Sequence, residues 1–85
     1  MSMIQVTGTT RTTANSVLVQ LDSGKRSMYV TVWADGHLWC LVNNRVARRA
    51  GYGKTYANLD AALAAYKSAD VHAMIRTALE VAANA

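Results

Sequence analysis

The sequence predicts an α+β fold, in which an antiparallel β-meander of three or four strands precedes a helical C-terminal third. Residues 15–42 contain three apolar runs rich in β-branched residues, and short glycine-containing turns separate them. Residues 58–82 instead repeat their apolar side chains every three or four positions, as a helix does. The chain has 85 residues, of which 52% are hydrophobic and 16% charged, so we expect one small globular domain over residues 1–85.

The three strand signals are NSVLVQL (15–21), RSMYVTVWA (26–34) and HLWCLV (37–42). The turn sequence DSGK separates the first two runs, and the Asp35-Gly36 pair, a strong hairpin signal, separates the last two. A two-residue turn at Asp35-Gly36 places Trp33 opposite Leu38. Closing the DSGK turn places Leu21 opposite Arg26.

These registers sort the strand residues onto two faces. One face collects Val17, Val19, Met28, Val30, Val32, Trp39 and Leu41, and the other collects Leu18, Tyr29, Thr31, Trp33, Leu38, Cys40 and Val42. We expect the helical third to cover the first face. The second face would then remain as a large apolar patch, which monomers rarely leave bare.

Three arrangements would cover that second face. The helices divide between both faces, the N-terminal strand folds over it, or two chains pack sheet to sheet. We favour the homodimer, and its predicted interface consists of Leu18, Tyr29, Trp33, Leu38 and Val42.

The N-terminal segment divides into a strand and a loop. MIQV, residues 3–6, predicts a short fourth strand, and the threonine-rich TGTTRTT, residues 7–13, is then a loop.

The C-terminal third carries two helix-start signals. Asn58 has the side chain of an N-cap, and Asp60 follows in the first turn, so a helix is predicted over residues 59–66. Ser68 repeats the pattern, with Asp70 two residues further on. We therefore expect two helices with a break near residues 67–68, in preference to one helix that bends there.

The basic run NNRVARRAGYGKTY, residues 43–56, carries the whole net charge of the chain. Outside it, five basic residues balance five acidic ones, and the formal net charge is +4. Two interpretations stay open for its first part. It forms one or two helical turns that Asn44 caps and Gly51 ends, or it is an irregular loop. In either conformation it could serve as a binding surface or as a solvated connector.

The basic run supplies the first functional hypothesis, which is contact with DNA or RNA. Helical spacing would turn Arg45, Arg48 and Arg49 the same way, as a clamp for phosphate groups. Lys54 lies beside them in the sequence, and Tyr52 adds an aromatic ring close to the cluster. The second hypothesis is a protein-interaction module, in which the second face of the sheet binds another copy or another protein.

Several catalytic and metal-binding patterns fail on inspection. GYGKT (51–55) ends like a phosphate-binding loop, but Arg48 stands where that motif requires its first glycine. His37 and Cys40, three positions apart on a strand, point to opposite faces and cannot share a metal ion. The carboxylates sit in turns, at helix starts or in a helical i, i+4 pair, so no acid pair remains for acid–base catalysis. We predict a non-enzymatic protein without metal or cofactor.

The expected compartment follows from the cysteine count and the N-terminus. Cys40 is the only cysteine, so no internal disulfide forms, which favours a reducing compartment. The first residues carry no charged signal-peptide region, and no apolar run approaches the roughly 20 residues of a membrane helix. We therefore expect a soluble cytoplasmic protein without a membrane partner.

Overall fold

The computed structural model describes residues 4–44, 49–50 and 53–85, and it describes Asn44, Arg49 and Ala50 by their backbone only. In order, the elements are β1 (Gln5–Thr13), β2 (Ser16–Asp22), β3 (Arg26–Trp33), β4 (Leu38–Asn44), β5 (Arg49–Ala50), β6 (Lys54–Tyr56), α1 (Leu59–Ala65) and α2 (Ala69–Ala83). The strands form one antiparallel sheet in the order β1-β2-β3-β4-β5, and β6 also pairs with β4. The predicted α+β fold is confirmed, with more strands than expected.

The first strand is longer than the sequence indicated. β1 pairs with β2 along its whole length, from Gln5 opposite Asp22 to Thr13 opposite Ser16. The expectation of a loop over residues 7–13 was therefore wrong. Threonine is β-branched and favours extended backbone, so a threonine-rich segment beside an apolar strand joins the sheet.

The turn between β2 and β3 is a two-residue loop, Gly24–Lys25, in which Gly24 adopts a φ of 88°. Leu21 consequently pairs with Met28 and not with the predicted Arg26. The register differs from the prediction by two residues. Because side chains alternate with a period of two, an even shift keeps the predicted faces of β2 and β3.

The turn between β3 and β4 contains three residues, 34–36, and this register prediction was wrong by one residue. The N–H of Gly36 donates to the carbonyl of Trp33 over 3.0 Å, and Gly36 adopts a φ of 95°. A turn followed by one left-handed glycine is the usual three-residue hairpin loop. Val32, not Trp33, therefore lies opposite Leu38.

A one-residue slip transfers every side chain of β4 to the other face. Leu38, Cys40 and Val42 pack in or against the core beneath the helices. Trp39 and Leu41 leave the face that the helices cover, which corrects their assignment as core residues.

The C-terminal third forms two helices, as predicted. The Asn58 side chain caps α1 by accepting a 2.8 Å hydrogen bond from the N–H of Ala61. Ser68 precedes α2, but its hydroxyl makes no cap bond. It accepts instead from Nη1 of Arg26 over 3.0 Å. This bond ties the start of β3 to the start of α2.

The helices cover one face of the sheet and enclose the core there. The fully buried apolar side chains are Val19, Leu21, Met28, Val30, Leu38, Cys40, Ala62, Met74, Ile75 and Ala78. They come from β2, β3, β4 and both helices. The sheet thus has one covered face, and the functional question concerns the other.

The helical interpretation of the basic run was wrong for its described residues. Asn44 is the last residue of β4, and Arg49 and Ala50 form β5, with Asn44 opposite Arg49. A helix that begins after Asn44 and ends at Gly51 would have included both β5 residues. The helical phosphate clamp therefore loses its geometric basis.

Candidate functional site

The face of the sheet that points away from both helices is here called the outer face. Its central side chains are Leu18, Gln20, Tyr29, Thr31, Trp33, Trp39 and Leu41, as the register of β2, β3 and β4 requires. None of them carries a charge. The face is therefore uncharged and rich in aliphatic and aromatic side chains, in a chain whose formal net charge is +4.

The outer-face side chains shield one another without any described element lying over them. Thr31 sits between Leu18 and Trp39 in the register and is only 8% exposed. In the next row, Tyr29 lies between Gln20 and Leu41, and all three are half-buried. Such cross-strand rows form a continuous surface.

The indole of Trp39 is fixed by close contact with the backbone of Gly53. A Cβ atom at position 53 would overlap the indole ring, so no other residue fits there without movement. Gly53 immediately precedes β6, which pairs with the same strand, β4. The edge of the sheet thus holds Trp39 in one orientation on the outer face.

Trp33, the last residue of β3, is held by the turn that leads into β4. Its ring stacks on the imidazole of His37, with ring centroids 4.1 Å apart and planes at 14°. The imidazole Nδ1 makes a short hydrogen bond to the Asp35 carboxylate. That carboxylate also accepts a 3.0 Å bond from the N–H of His37. The hydrogen bond from the His37 backbone N–H is the larger cause, and the bond with the imidazole is the second, of a lowered pKa of the Asp35 carboxyl group.

The predicted interface residues divide between the two faces. Leu18, Tyr29 and Trp33 lie on the outer face, whereas Leu38 is fully buried in the core and Val42 packs against it. Placing Leu38 and Val42 on the outer face was wrong, and Trp39 and Leu41 take their places. The missed signal was the Asp-Gly pair, which also occurs in three-residue loops when glycine closes the turn.

The predicted nucleic-acid contacts are only partly described. Arg45, Arg48 and Tyr52 lie outside the described residues, and Arg49 is described only as a backbone position of β5. Lys54 is exposed on β6, with its ammonium group 5.9 Å from the centre of the Tyr56 ring. Of the five predicted contacts, Arg49 and Lys54 therefore lie on strands that pair with β4.

Two titratable side chains of the described residues, Cys40 and Tyr66, have raised pKa values. Burial raises the pKa of the Cys40 thiol to about 11, so little thiolate is present at neutral pH. Burial likewise raises the pKa of Tyr66, with its contact to Tyr56 as a second cause. Within residues 4–44, 49–50 and 53–85, no group of three or more His, Cys, Asp or Glu side chains could hold a metal ion.

The sequence matches no family model, no curated protein and no solved structure. In the described part of the chain, neither helix is long and apolar enough to cross a membrane. The outer face is the feature that most needs a functional explanation.

Proposed function

We propose that the protein is a non-enzymatic interaction module that forms a homodimer by packing the outer faces of two copies together. The observation that carries this proposal is the pair of rows in which half-buried Leu18, Trp39, Tyr29 and Leu41 surround the buried Thr31, on a face that none of the described elements covers. Two antiparallel sheets pack well face to face, with side chains of both inner faces interdigitating.

The size of the face suits a stable dimer. The molecule measures 35 × 23 × 23 Å, so the whole side that carries the outer face projects at most roughly 800 Å² per partner. That is about the area of a standard stable interface. A smaller apolar patch would fit a transient contact better.

The charge distribution also favours a second copy. Two molecules of net charge +4 repel each other, but the central positions of the outer face are uncharged. At the far edge, Lys54 on β6 and the backbone position of Arg49 on β5 lie outside these central rows. Face-to-face packing therefore brings no like charges into direct opposition at its centre.

The test is the molar mass in solution of the wild type and of Leu41→Lys. Leu41 is half-buried, so a lysine there keeps its aliphatic stem on the face and its ammonium group in water in the monomer. In the dimer the same ammonium group would be buried without a partner. We expect the wild type at no less than twice the 9.2 kDa chain mass, and a dissociation constant of the outer-face contact at least about a hundredfold higher for the variant.

The matched control is Ala64→Lys, which adds the same charge at an exposed position of α1. This variant should dimerise like the wild type. A wild type that stays at 9.2 kDa at high concentration would refute the proposal. A Leu41→Lys dimer as tight as that of the control would place the interface elsewhere.

A second candidate function is contact with nucleic acid through the edge beyond β4. The observation that favours it is that residues 43–56 contain four basic and no acidic residues, while the rest of the chain is neutral. Four phosphate contacts imply a slope of about −3 to −4 in log K against log salt.

Fluorescence anisotropy with labelled single- and double-stranded oligonucleotides at two salt concentrations tests this second function. The double variant Arg48→Ala/Arg49→Ala should roughly halve the slope. An unchanged slope, or no binding at low salt, would make these residues a solvated edge.

A further inference from the structure

β1 is an edge strand, and the edge that it presents on the side away from β2 has no partner among the described residues. It spans Gln5–Thr13, pairs with β2 alone, and every residue except Gly8 is exposed. In an antiparallel strand, alternate residues direct their N–H and C=O groups to the two sides. Half of the β1 residues therefore present unpaired backbone groups outward, which is a template for another strand.

The two edges of the sheet differ in how well they are protected against such pairing. The opposite edge consists of β5 and β6, which are two and three residues long and lie in the basic run. Short strands and positive charge are common ways to block edge pairing. β1 has nine residues, no proline and Arg11 as its one charged residue. Its one large exposed apolar side chain is Val6, at 41%.

Register irregularities limit the part of β1 that can pair regularly. The pairing with β2 shifts between Val6 and Gly8 and again between Arg11 and Thr13. Between these shifts, Gly8–Arg11 is a regular stretch. An added strand would therefore be centred here.

We propose that β1 pairs antiparallel with β1 of a second copy, about a two-fold axis at Thr9, so that two sheets become one. In an antiparallel pair, side chains that lie directly opposite each other point to the same face of the sheet. Neighbouring residues of β1 point to different faces, so a two-fold axis between two copies must pass where one residue lies opposite its own copy. An axis at Thr9 places Gly8 opposite Thr10. It also keeps the two Arg11 residues four positions, or about 13 Å, apart along the strands.

The neighbouring register, with the axis at Thr10, is less favourable. It would place the two Arg11 residues only two positions apart, as diagonal neighbours within reach of each other's charge. An axis at Arg11 would oppose the two guanidinium groups directly. Charge repulsion therefore favours Thr9 over Thr10 and Arg11 within the regular stretch 8–11. An axis at Gly8 would instead place Val6, which lies beyond the register shift, opposite Thr10.

This edge interface goes beyond the proposed outer-face dimer and does not depend on it. The edge of β1 and the central rows of β2, β3 and β4 are different surfaces. A pairing of two β1 strands leaves both outer faces free. If both interfaces form, the assembly contains more than two copies, because two different two-fold contacts link dimers together.

Cysteine cross-linking tests the register. Thr9→Cys places two thiols opposite each other, at a Cα separation of about 4.5–5.5 Å, which a disulfide spans. The native Cys40 is fully buried and should not compete. Under mild oxidation we expect Thr9→Cys to form a covalent dimer at least ten times faster than Ala64→Cys, a control on the exposed surface of α1. Equal rates for the two variants would overturn the proposal.

Sedimentation separates this interface from the outer-face dimer. Thr9→Lys brings two ammonium groups together at the axis, so we expect its edge association to weaken at least tenfold relative to Ala64→Lys. Leu41→Lys should keep the edge association, and the double variant should be monomeric. A Thr9→Lys protein that associates like its control refutes the edge pairing, whereas an unaffected Leu41→Lys protein refutes only the outer-face dimer.

Discussion

The imidazole of His72 on α2 caps the end of α1 through the carbonyl oxygen of Tyr66. Its Nε2 lies 2.5 Å from that oxygen and 2.8 Å from the carbonyl oxygen of Leu63. Carbonyl oxygens only accept hydrogen bonds, so Nε2 carries the proton. The last turn of α1 has no basic residue of its own, and His72 supplies the missing donor.

Replacing His72 with alanine should destabilise the protein. Two half-buried carbonyl groups at a helix end would lose their donor, at a cost of about 1–3 kcal/mol. For a domain of this size, that corresponds to a fall in Tm of about 5–20 °C. Thermal unfolding followed by circular dichroism measures the change. Arg76→Ala, one turn later on the exposed side of α2, is the control and should stay within about 0.5 kcal/mol of the wild type.

Gly53→Ala should destabilise the protein through a clash with Trp39. The new methyl group would overlap the indole, and overpacking of this kind costs about 1–3 kcal/mol. Urea denaturation measures the loss. Gly8→Ala is the control, because its methyl group would meet the Gln20 side chain at an ordinary 3.4 Å.

A double variant shows whether the clash is the cause. Trp39→Leu removes the ring that the alanine methyl group would meet. Gly53→Ala should therefore cost much less in the Trp39→Leu background than in the wild type. Equal costs in both backgrounds would mean that Gly53 is needed for its backbone conformation and not for the space it leaves.

The sequence predicts where most elements lie, but it does not determine how the strands of a hairpin are aligned. The positions of β2, β3, β4 and both helices follow from β-branched runs and helical spacing, and the Asn58 cap follows from local chemistry. The full length of β1 and the short strands β5 and β6 did not follow from these patterns. The register of β4 depends on whether the loop before it has two or three residues. Asp35-Gly36 is compatible with both, since the left-handed glycine closes either turn. One residue decided whether Leu38 or Trp39 belonged to the outer face.

The binding residues are harder to infer because they depend on that register. Leu18, Tyr29 and Trp33 were placed correctly because the shift between β2 and β3 was even and β3 anchors the sheet. The close approach of Gly53 to Trp39 joins residues fourteen positions apart. Local sequence preferences carry no information about a contact between residues so far apart in the sequence.

Gly36→Ala should destabilise the β3–β4 hairpin. Gly36 has a φ of 95°, a backbone conformation that costs a residue with a Cβ atom about 1–2 kcal/mol. Open space surrounds the position, so no steric contact adds to the strain. Gly36→Asn should lose less stability than Gly36→Ala, because asparagine tolerates positive φ better. Similar losses for both variants in urea denaturation would contradict a purely conformational cause.

The Asp35–His37 contact should contribute a pH-dependent part of the stability. Hydrogen bonds from the His37 N–H and then from its side chain lower the pKa of Asp35 in the folded state. A depressed carboxyl pKa stabilises the fold above the unfolded value of about 3.9, and this contribution disappears as pH falls through the folded value. Asp35→Asn should therefore reduce Tm at pH 7 and leave it nearly unchanged near pH 2. A Tm difference that persists at pH 2 would assign the effect to packing.

Cys40 should be inert in the folded protein and reactive once the protein unfolds. Its side chain is fully buried, and burial raises the pKa of the thiol to about 11. The thiolate is the reactive species, so at pH 8 both access and ionisation disfavour reaction. A chromogenic disulfide reagent should modify Cys40 at least a hundredfold more slowly in buffer than in concentrated urea.

Because modification of Cys40 in buffer requires opening of the core between sheet and helices, Gly53→Ala and His72→Ala should each accelerate it in proportion to the stability they lose. A Cys40 that reacts in buffer as fast as in urea would contradict its placement on the helix-covered face, and with it the β3–β4 register.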